Sequence, residues 1–338
     1  MIRDSIITLA SGQSLSQAEA SEAMREIMAG QATSAQIAAF LTALRFKGET
    51  VDEITGLAIV MRENVVRVEI DYPLADTAGT GGADSDTINV STAAALVTAA
   101  AGVPVAKHGN RAMSSQTGSA DVLEALGVRV DLGAADVKRC LDEVGIAFMF
   151  AQIYHPAMRH AAPARREIGF RTVFNILGPL TNPAGARHQV IGTGSANLVP
   201  KLAEVLNRLG TKRSLIVRGV DGTDEFSISS PTNIVEIQND TLRSYQVSPE
   251  DVGMRTAPAS EIAGGPPDFN AAAMKAIFAG EQGARRDVVV LNAAATLLAF
   301  GVAPSLREGV TLAARAIDDG SATKRLAELV KLSQELGR

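Results

Sequence analysis

The sequence predicts an α/β protein with a small N-terminal helical domain and a larger α/β domain built on a mostly parallel central sheet. Two observations carry this. Residues 1–70 contain three helix starts of capping-box form, each followed by an apolar stripe at helical spacing. After Asp71-Tyr72-Pro73 the pattern changes to short apolar runs, each ending in glycine or a polar cluster and leading into a helix, as parallel strands with helical crossovers do. The two domains are therefore expected over residues 1–72 and 73–338.

Ser16-x-x-Glu19, Thr33-x-x-Gln36 and Thr50-x-x-Glu53 are the three starts. Their stripes are Ala20, Met24, Ile27, Met28, then Ile37, Phe40, Leu41, Leu44, then Ile54, Leu57, Ala58, Met61, and Gly30 and Gly48 punctuate the ends. Three short amphipathic helices make a small bundle, whose exposed remainder could serve as a dimer face. In the second region residues 103–106 lead to Lys107-His108-Gly109-Asn110, residues 147–150 to Tyr154-His155, residues 189–191 to Gly192-Thr193-Gly194, and residues 214–217 to Arg218-Gly219. Each polar cluster lies at a strand's carboxyl end, where ligands bind in such sheets. Residues 232–247, around Asn239-Asp240, read as a hairpin closing one edge. Beyond Gly264-Gly265-Pro266-Pro267 the chain returns to helices, over 271–279, 286–300, 306–318 and 323–336.

Composition narrows the function. The chain has 338 residues, enough for a core that needs no staples. A net charge of −5 argues against a general nucleic-acid binder, which presents surplus Lys and Arg to phosphates. A single cysteine, Cys140, excludes an internal disulfide and falls on a helical spacing with Val137, Leu141 and Val144, a packing position. No run of 18 apolar residues occurs and the start lacks signal-peptide layout, so a cytoplasmic protein with no membrane association is expected.

Four clusters carry chemistry. In residues 79–92, Gly79-Thr80-Gly81-Gly82 runs through polar residues into an alanine-rich helix. Glycines let backbone approach a ligand, and Asn89, Ser91 and Thr92 offer donors at a helix start whose own N–H groups are unpaired, so an anion fits there. An ordinary β-to-α turn is the bland alternative, and neither the dinucleotide nor the P-loop spacing is present. Lys107-His108-Gly109-Asn110-Arg111, with Ser114-Ser115 and Gly118-Ser119, adds cations and donors suited to a phosphorylated ligand, and Ser119 or Asp121 is expected to cap the next helix. Asp224-Glu225 follows a strand, and adjacent carboxylates near phosphates call for a hard cation such as Mg²⁺. Arg165, Arg166 and Arg171, near Tyr154-His155, are shaped to hold a carboxylate, while His155 lacks a metal-ligand partner.

Taken in order, Gly79-Thr-Gly-Gly82, Asn89-x-Ser91-Thr92, Lys107-His-Gly-Asn-Arg111, Gly118-Ser-Ala-Asp121, Tyr154-His-Pro-Ala-Met158, Arg165-Arg166, Phe174-Asn-Ile-Leu-Gly-Pro-Leu-Thr-Asn-Pro183 and Asp224-Glu225 resemble the anthranilate phosphoribosyltransferase family across essentially the whole chain. The resemblance implies a nucleoside-phosphorylase class II type fold with a hinge, a helical domain completed by part of 163–186, and a homodimer formed through that domain. It implies transfer of phosphoribose from phosphoribosyl pyrophosphate to the amine of anthranilate in tryptophan biosynthesis, with Mg²⁺, two ions being expected. By position, Gly79, Gly82, Ala83, Thr87, Asn89, Val90, Ser91, Thr92, Lys107, His108, Gly109, Asn110, Arg111, Ala112, Met113, Ser114, Ser115 and Ser119 would hold phosphoribosyl pyrophosphate. Gly79, Asn110, His155 and Arg165 would meet anthranilate, and Ser91, Asp224 and Glu225 would take the metal.

Ala83 stands where the family usually has Asp, Gln116 where Lys or Arg is common, and Arg218 where His is frequent. No general acid or base is required, because an aromatic amine is already nucleophilic at neutral pH and charge stabilisation at the departing pyrophosphate supplies the rate. Two rivals share the fold. A pyrimidine nucleoside phosphorylase would carry a different Lys-x-Ser-x-Gly-Gly loop and a longer C-terminal domain, and a non-enzymatic paralogue that binds nucleic acid would have a basic surface and decayed metal carboxylates.

Overall fold

Four helices open the chain: α1 (Ile2–Ala10), α2 (Gln17–Met28), α3 (Ser34–Lys47) and α4 (Val51–Glu63). The structure is a computed structural model that describes residues 1–81, 87–112 and 116–337. Helices α2, α3 and α4 start at the three capping boxes. Ser16, Thr33 and Thr50 accept from the backbone N–H of Glu19, Gln36 and Glu53 at 3.3, 3.2 and 3.2 Å, and those three side chains accept in return from the cap N–H groups at 2.8, 2.9 and 2.8 Å. Helix α1 has no side-chain cap, which is why the sequence pattern yields three helices where the bundle has four. Glu53 does more than cap: buried, it also accepts from the Leu15 N–H and the Lys47 ammonium, each at 2.9 Å, and so locks the α1–α2 link to α4.

The remainder alternates strand and helix: β1 (Ala75–Gly79), α5 (Val90–Ala100), β2 (Val105–Gly109), α6 (Ser119–Ala125), α7 (Ala134–Val144), β3 (Ile146–Phe150), α8 (Ala151–Tyr154), α9 (Ala162–Ile168), α10 (Val173–Leu177), β4 (His188–Gly192), α11 (Leu198–Arg208) and β5 (Arg213–Gly219). The hairpin β6 (Thr232–Gln238) and β7 (Thr241–Val247) follows, then α12 (Pro267–Phe278), α13 (Ala284–Phe300), α14 (Leu306–Asp318) and α15 (Ser321–Leu336). The sheet order is β3-β2-β1-β4-β5-β6-β7, with β3 to β5 parallel and the last two strands antiparallel. The hairpin forms the edge because Asn239 and Asp240 both take positive φ, 49° and 61°, the geometry of a two-residue turn.

Strand β1 lies at the centre of the five parallel strands, yet its sequence Ala-Asp-Thr-Ala-Gly is no apolar run, and the sequence pattern passes over it. The carboxylate of Asp76 is fully buried there, accepting from the Asn182 amide at 2.9 Å and the His108 N–H at 3.3 Å. Two apolar layers enclose the sheet. One joins the helical bundle to Ala164, Phe174, Leu177, Leu180, α11 and one sheet face; the other packs α5, α7, α13 and α15 on the opposite face. Cys140 is buried in that second layer, where packing was expected.

Candidate functional site

Strands β1, β2 and β3 build outward on one side and β4, β5 on the other, so the order of the chain reverses between β1 and β4. A crevice forms at the carboxyl ends of strands at such a reversal. Its two lips are register partners, Gly79 and Gly192. Both are glycines for a reason of space. A Cβ on Gly192 would lie 1.5 Å from the backbone oxygen of Asp224, and one on Gly79 would lie 2.9 Å from the Asp224 carboxylate. The segment that follows β5 thus passes directly over the crevice and delivers Asp224 and Glu225 into it. Gly192 was noted in the sequence only as part of a polar cluster; its neighbour across the sheet gives it this role.

Both carboxylates are partly withdrawn from solvent. Burial pushes Glu225 up to about 8, helped by the adjacent Asp224 charge and opposed by Lys107 and a hydrogen bond from the Ser91 N–H. Asp224 is raised as well, again by burial, against hydrogen bonding from Gly81 and the charge of Arg171. Lys107 lies below, buried, donating to the Thr77 carbonyl at 2.6 Å and reaching Ser91 Oγ at 3.4 Å, with Asp76 on one side and Glu225 on the other. Burial lowers its affinity for the proton while the two acids raise it. The result is a column of Asp76, Lys107 and Glu225 that sets the lysine side chain under the crevice between two acids. Arg171 donates to the Thr80 carbonyl and so braces the first glycine turn.

A metal would meet a suitable donor set here. Two buried carboxylates side by side repel, and both hold protons too tightly for their type; a hard divalent cation satisfies that pairing with oxygen ligands. Among the described residues no group of three or more His, Cys, Asp or Glu could hold a metal ion.

The start of α5 is pinned from outside. Asn89 occupies the N-cap position without a side-chain cap bond; its amide donates to the Thr117 carbonyl at 3.0 Å and accepts from Asn270 at 2.9 Å. The donor expected from Asn89 is therefore spent on the scaffold. Val90 is buried, and Thr87 pairs with Ala263 in an isolated bridge. Thr92 is buried, and its hydroxyl has no partner among the described residues. In the first turn the Val90 and Thr92 N–H groups donate to the Ile88 and Asn89 carbonyls at 2.6 and 3.1 Å, and the Ser91 N–H turns to Glu225.

In the second cluster the cations differ. Lys107 is buried in the crevice floor, whereas Arg111 is exposed and bound by Asp121 at 2.9 Å and Glu124 at 2.5 Å, with its guanidinium 5.5 Å from the Phe150 ring centre. Asp121, not Ser119, closes the helix start, accepting from the N–H of Gly118 and Ala112 at 2.9 and 3.0 Å. Ser119 Oγ donates to the Asn110 carbonyl at 3.2 Å. Gly109 is small because Ser119 and Phe148 fill the space a side chain would need. The Asn110 side chain accepts from the Arg111 N–H. Gly82, Ala83, Met113, Ser114 and Ser115 lie outside the described residues.

On the helical side of the crevice His108 and His155 face each other with ring centres 5.0 Å apart. Nδ1 of His108 is 3.2 Å from the Gly178 carbonyl; the Nε2 atoms of both rings are buried without a partner among the described residues. Burial holds the two imidazoles neutral, at about 3 and about 4. Arg165 in α9 stacks on Phe174 at 5.1 Å, and burial lowers its proton affinity. Two neutral imidazoles and an arginine stacked on a ring thus lie together on this side.

Residues 3–65 match the glycosyl transferase family, helical bundle domain, and residues 71–323 match the glycosyl transferase family, a/b domain. The chain is 55% identical to the anthranilate phosphoribosyltransferase of Chloroflexus aggregans, over 98% of each chain. It is 55% identical to that of Pelotomaculum thermopropionicum, over 99% of this chain and 98% of the other. The crystal structure of the Thermus thermophilus enzyme of the same name superposes with a TM-score of 0.92 at 44% identity, covering 98% of this chain and 99% of that one. The Saccharomyces cerevisiae enzyme in complex with phosphoribosyl pyrophosphate and Mg superposes at 0.91 with 26% identity, covering 99% and 98%. With relatives this similar over nearly its whole length, and with the site at the switch point of the same fold, the chain belongs to the anthranilate phosphoribosyltransferase family.

Proposed function

We infer that this chain transfers the phosphoribosyl group of phosphoribosyl pyrophosphate to the amine of anthranilate, giving N-(5-phosphoribosyl)-anthranilate and pyrophosphate in tryptophan biosynthesis. The observation that supports the reading is the meeting of Asp224-Glu225 with Lys107 and the first turn of α5 in one crevice. Neither rival gains support: the metal carboxylates are intact, and the relatives that match over the full length carry the transferase name.

The residues divide the work. The dipole at the start of α5, the Ser91 and Thr92 hydroxyls, and Lys107 below them favour negative charge on the departing pyrophosphate; charge stabilisation of this kind is the largest contribution in such sites. Gly79, Thr87, Asn89, Val90, His108, Gly109, Asn110, Arg111, Ala112 and Ser119 would bind the remainder of phosphoribosyl pyrophosphate, together with Gly82, Ala83 and residues 113–115, which lie outside the described residues. Arg111 contributes there only by exchanging its present carboxylate partners for ligand oxygens. Asp224, Glu225 and Ser91 would hold Mg²⁺, two ions in our reading, which would supply Lewis-acid charge to the departing group. Arg165 receives the anthranilate carboxylate, with Gly79, Asn110 and His155 around the ring. In the reaction the bond from the anomeric carbon to pyrophosphate oxygen breaks, the amine nitrogen bonds to that carbon, and the nitrogen releases a proton. No side chain acts as strong base: the neutral imidazoles orient the amine, and water takes the proton.

The reading extends to assembly and location. Ile7 on α1 and Phe46 at the end of α3 are 67% and 82% exposed, apolar surface in keeping with a homodimer through the helical domain, bounded by residues 1–72 with part of 163–186. Among the described residues no helix is long and apolar enough to cross a membrane, in keeping with a cytoplasmic enzyme. Mixing the protein with anthranilate, phosphoribosyl pyrophosphate and Mg²⁺ should quench anthranilate fluorescence as product forms. No loss of signal at any concentration would sink the assignment, and a sedimentation velocity run showing only monomer would sink the dimer.

A further inference from the structure

A cavity of about 270 Å³ lies at the other end of the sheet from this crevice. Its walls are the 62–70 segment that carries the chain from α4 to β1, the 182–189 segment that leads from α10 into β4, and the turn at 209–211 before β5. These are the amino ends of the strands, separated from the carboxyl-end crevice by the length of β4, roughly 13 Å for its five residues.

The charge there is unbalanced. Arg62, Arg67 and Arg187 line the cavity with a single carboxylate, Glu69, and among the described residues none of the four is in an ion pair. Arg62 is fixed in place, Nε donating to the Leu180 carbonyl at 2.6 Å and Nη1 to the Leu209 carbonyl at 3.2 Å. Arg187 donates from Nε and Nη2 to the Gly210 carbonyl at 2.8 and 2.5 Å. Carbonyl oxygens orient a guanidinium without neutralising it. Burial and the neighbouring Arg187 charge bring Arg62 down to about 10, so each cation raises the cost of the other. A guanidinium has five N–H groups in a rigid fork, and Arg62 leaves part of its fork unused.

We propose that this cavity is a second ligand site, taking the phosphate group of a small phosphorylated metabolite between Arg62 and Arg187. Charge selects phosphate over a single carboxylate: three cations against one acid leave a double positive charge, and a phosphate monoester carries about −1.5 to −2 at neutral pH. Size admits an ester as well as bare phosphate, since about 270 Å³ is many times the roughly 10–15 Å³ that one water needs. Arginine forks are the side chains best matched to phosphate oxygens. The ligand would join the end of α4 to the approach to β4, and so tie together two of the segments that connect the helical bundle to the sheet.

Crystals of the full chain soaked in selenate locate the site by anomalous scattering. A peak between Arg62 and Arg187 is expected; peaks confined to the carboxyl-end crevice overturn the proposal. In solution, calorimetric titration with glycerol 3-phosphate should show a binding event that Arg187→Gln weakens roughly tenfold or more, the scale of a lost charged hydrogen bond. An isotherm unchanged in that variant overturns the site. Inorganic phosphate binding as tightly as glycerol 3-phosphate overturns the metabolite assignment. Arg62→Gln is the stronger perturbation, but Arg62 also braces Leu180 and Leu209; the exposed Arg187 leaves the fold intact, which circular dichroism checks, and decides the matter.

Discussion

Replacing Gly192 by alanine tests whether Asp224-Glu225 owes its position to the glycine lip of β4. The added methyl would sit 1.5 Å from the Asp224 backbone oxygen and 2.4 Å from its carbonyl carbon, whereas ordinary contact begins near 3.4 Å. Both are backbone atoms that no rotamer change can move aside, so strand and segment must part by about 2 Å. Two costs follow. Overpacking of this kind destabilises by about 1–3 kcal/mol, a few degrees in melting temperature for a chain of this size. A displacement of about 1 Å in a reacting geometry already costs on the order of a hundredfold in rate, so kcat/KM should fall by at least that much. The two costs separate in the assay: fluorescence turnover at graded Mg²⁺, beside a thermal melt. The reasoning predicts a raised Mg²⁺ requirement together with the lost rate. Gly79→Ala, which meets only the movable carboxylate at 2.9 Å, should do the same more mildly. A Gly192→Ala protein that melts lower yet keeps parental turnover and Mg²⁺ dependence would refute the placement argument, because strain alone would then account for everything.

Four further outcomes are expected. Lys107→Met leaves Asp76 and Glu225 without their cation and should cost about 3–5 kcal/mol in urea unfolding at a pH above about 8, where Glu225 is ionised, part of which Glu225→Gln in the same chain restores; no recovery in the double variant would contradict the pairing of Lys107 with Glu225. Arg165→Ala should raise the KM for anthranilate by the equivalent of about 2–5 kcal/mol and leave that for phosphoribosyl pyrophosphate alone, and the reverse pattern counts against its role. Mg²⁺ at about a hundred times its dissociation constant should stabilise the protein by about 2.7 kcal/mol, an increment lost in Asp224→Asn/Glu225→Gln. His108 and His155 are held below the unfolded value of about 6.5, so the unfolded chain binds more protons in acid; their stabilisation is complete above that pH and is lost as pH falls towards about 4, which His155→Asn should lessen in melts taken across that range.

The parts of the fold legible in the sequence are those whose signal is local. Capping boxes are contained in four residues, and Ser16, Thr33 and Thr50 each start a helix at the next position. The hairpin turn at Asn239-Asp240 is equally self-contained. Helix α1 and strand β1 lack such signals. Strand β1 is recognisable only through partners far along the chain: Asp76 is tolerable at the sheet centre because Lys107, Asn182 and the His108 N–H surround it. The same holds in the site. Residue types marked Lys107, Asp224 and Glu225, but nothing local tells a cation in the crevice floor from one spent on neighbours, and Arg111 is held by Asp121 and Glu124 while Asn89 is held by Thr117 and Asn270. Gly192 is informative only once the backbone of Asp224 is seen crossing above it.

The position of β1 also bears on how the chain is made. Its neighbour β4 pairs with it from Ala75 and His188, roughly 110 residues apart, so at synthesis rates of about 5–20 residues per second one edge of the future central strand waits some seconds for its partner. An unpaired edge is an invitation to other chains, and polar residues on it are a common defence. The Asp76-Thr77 pair at the middle of β1 gives the nascent strand that defence, and Asn182, arriving just ahead of β4, turns the same carboxylate into a fastening. A residue that hides the strand from sequence pattern thereby keeps it single until the sheet can close around it.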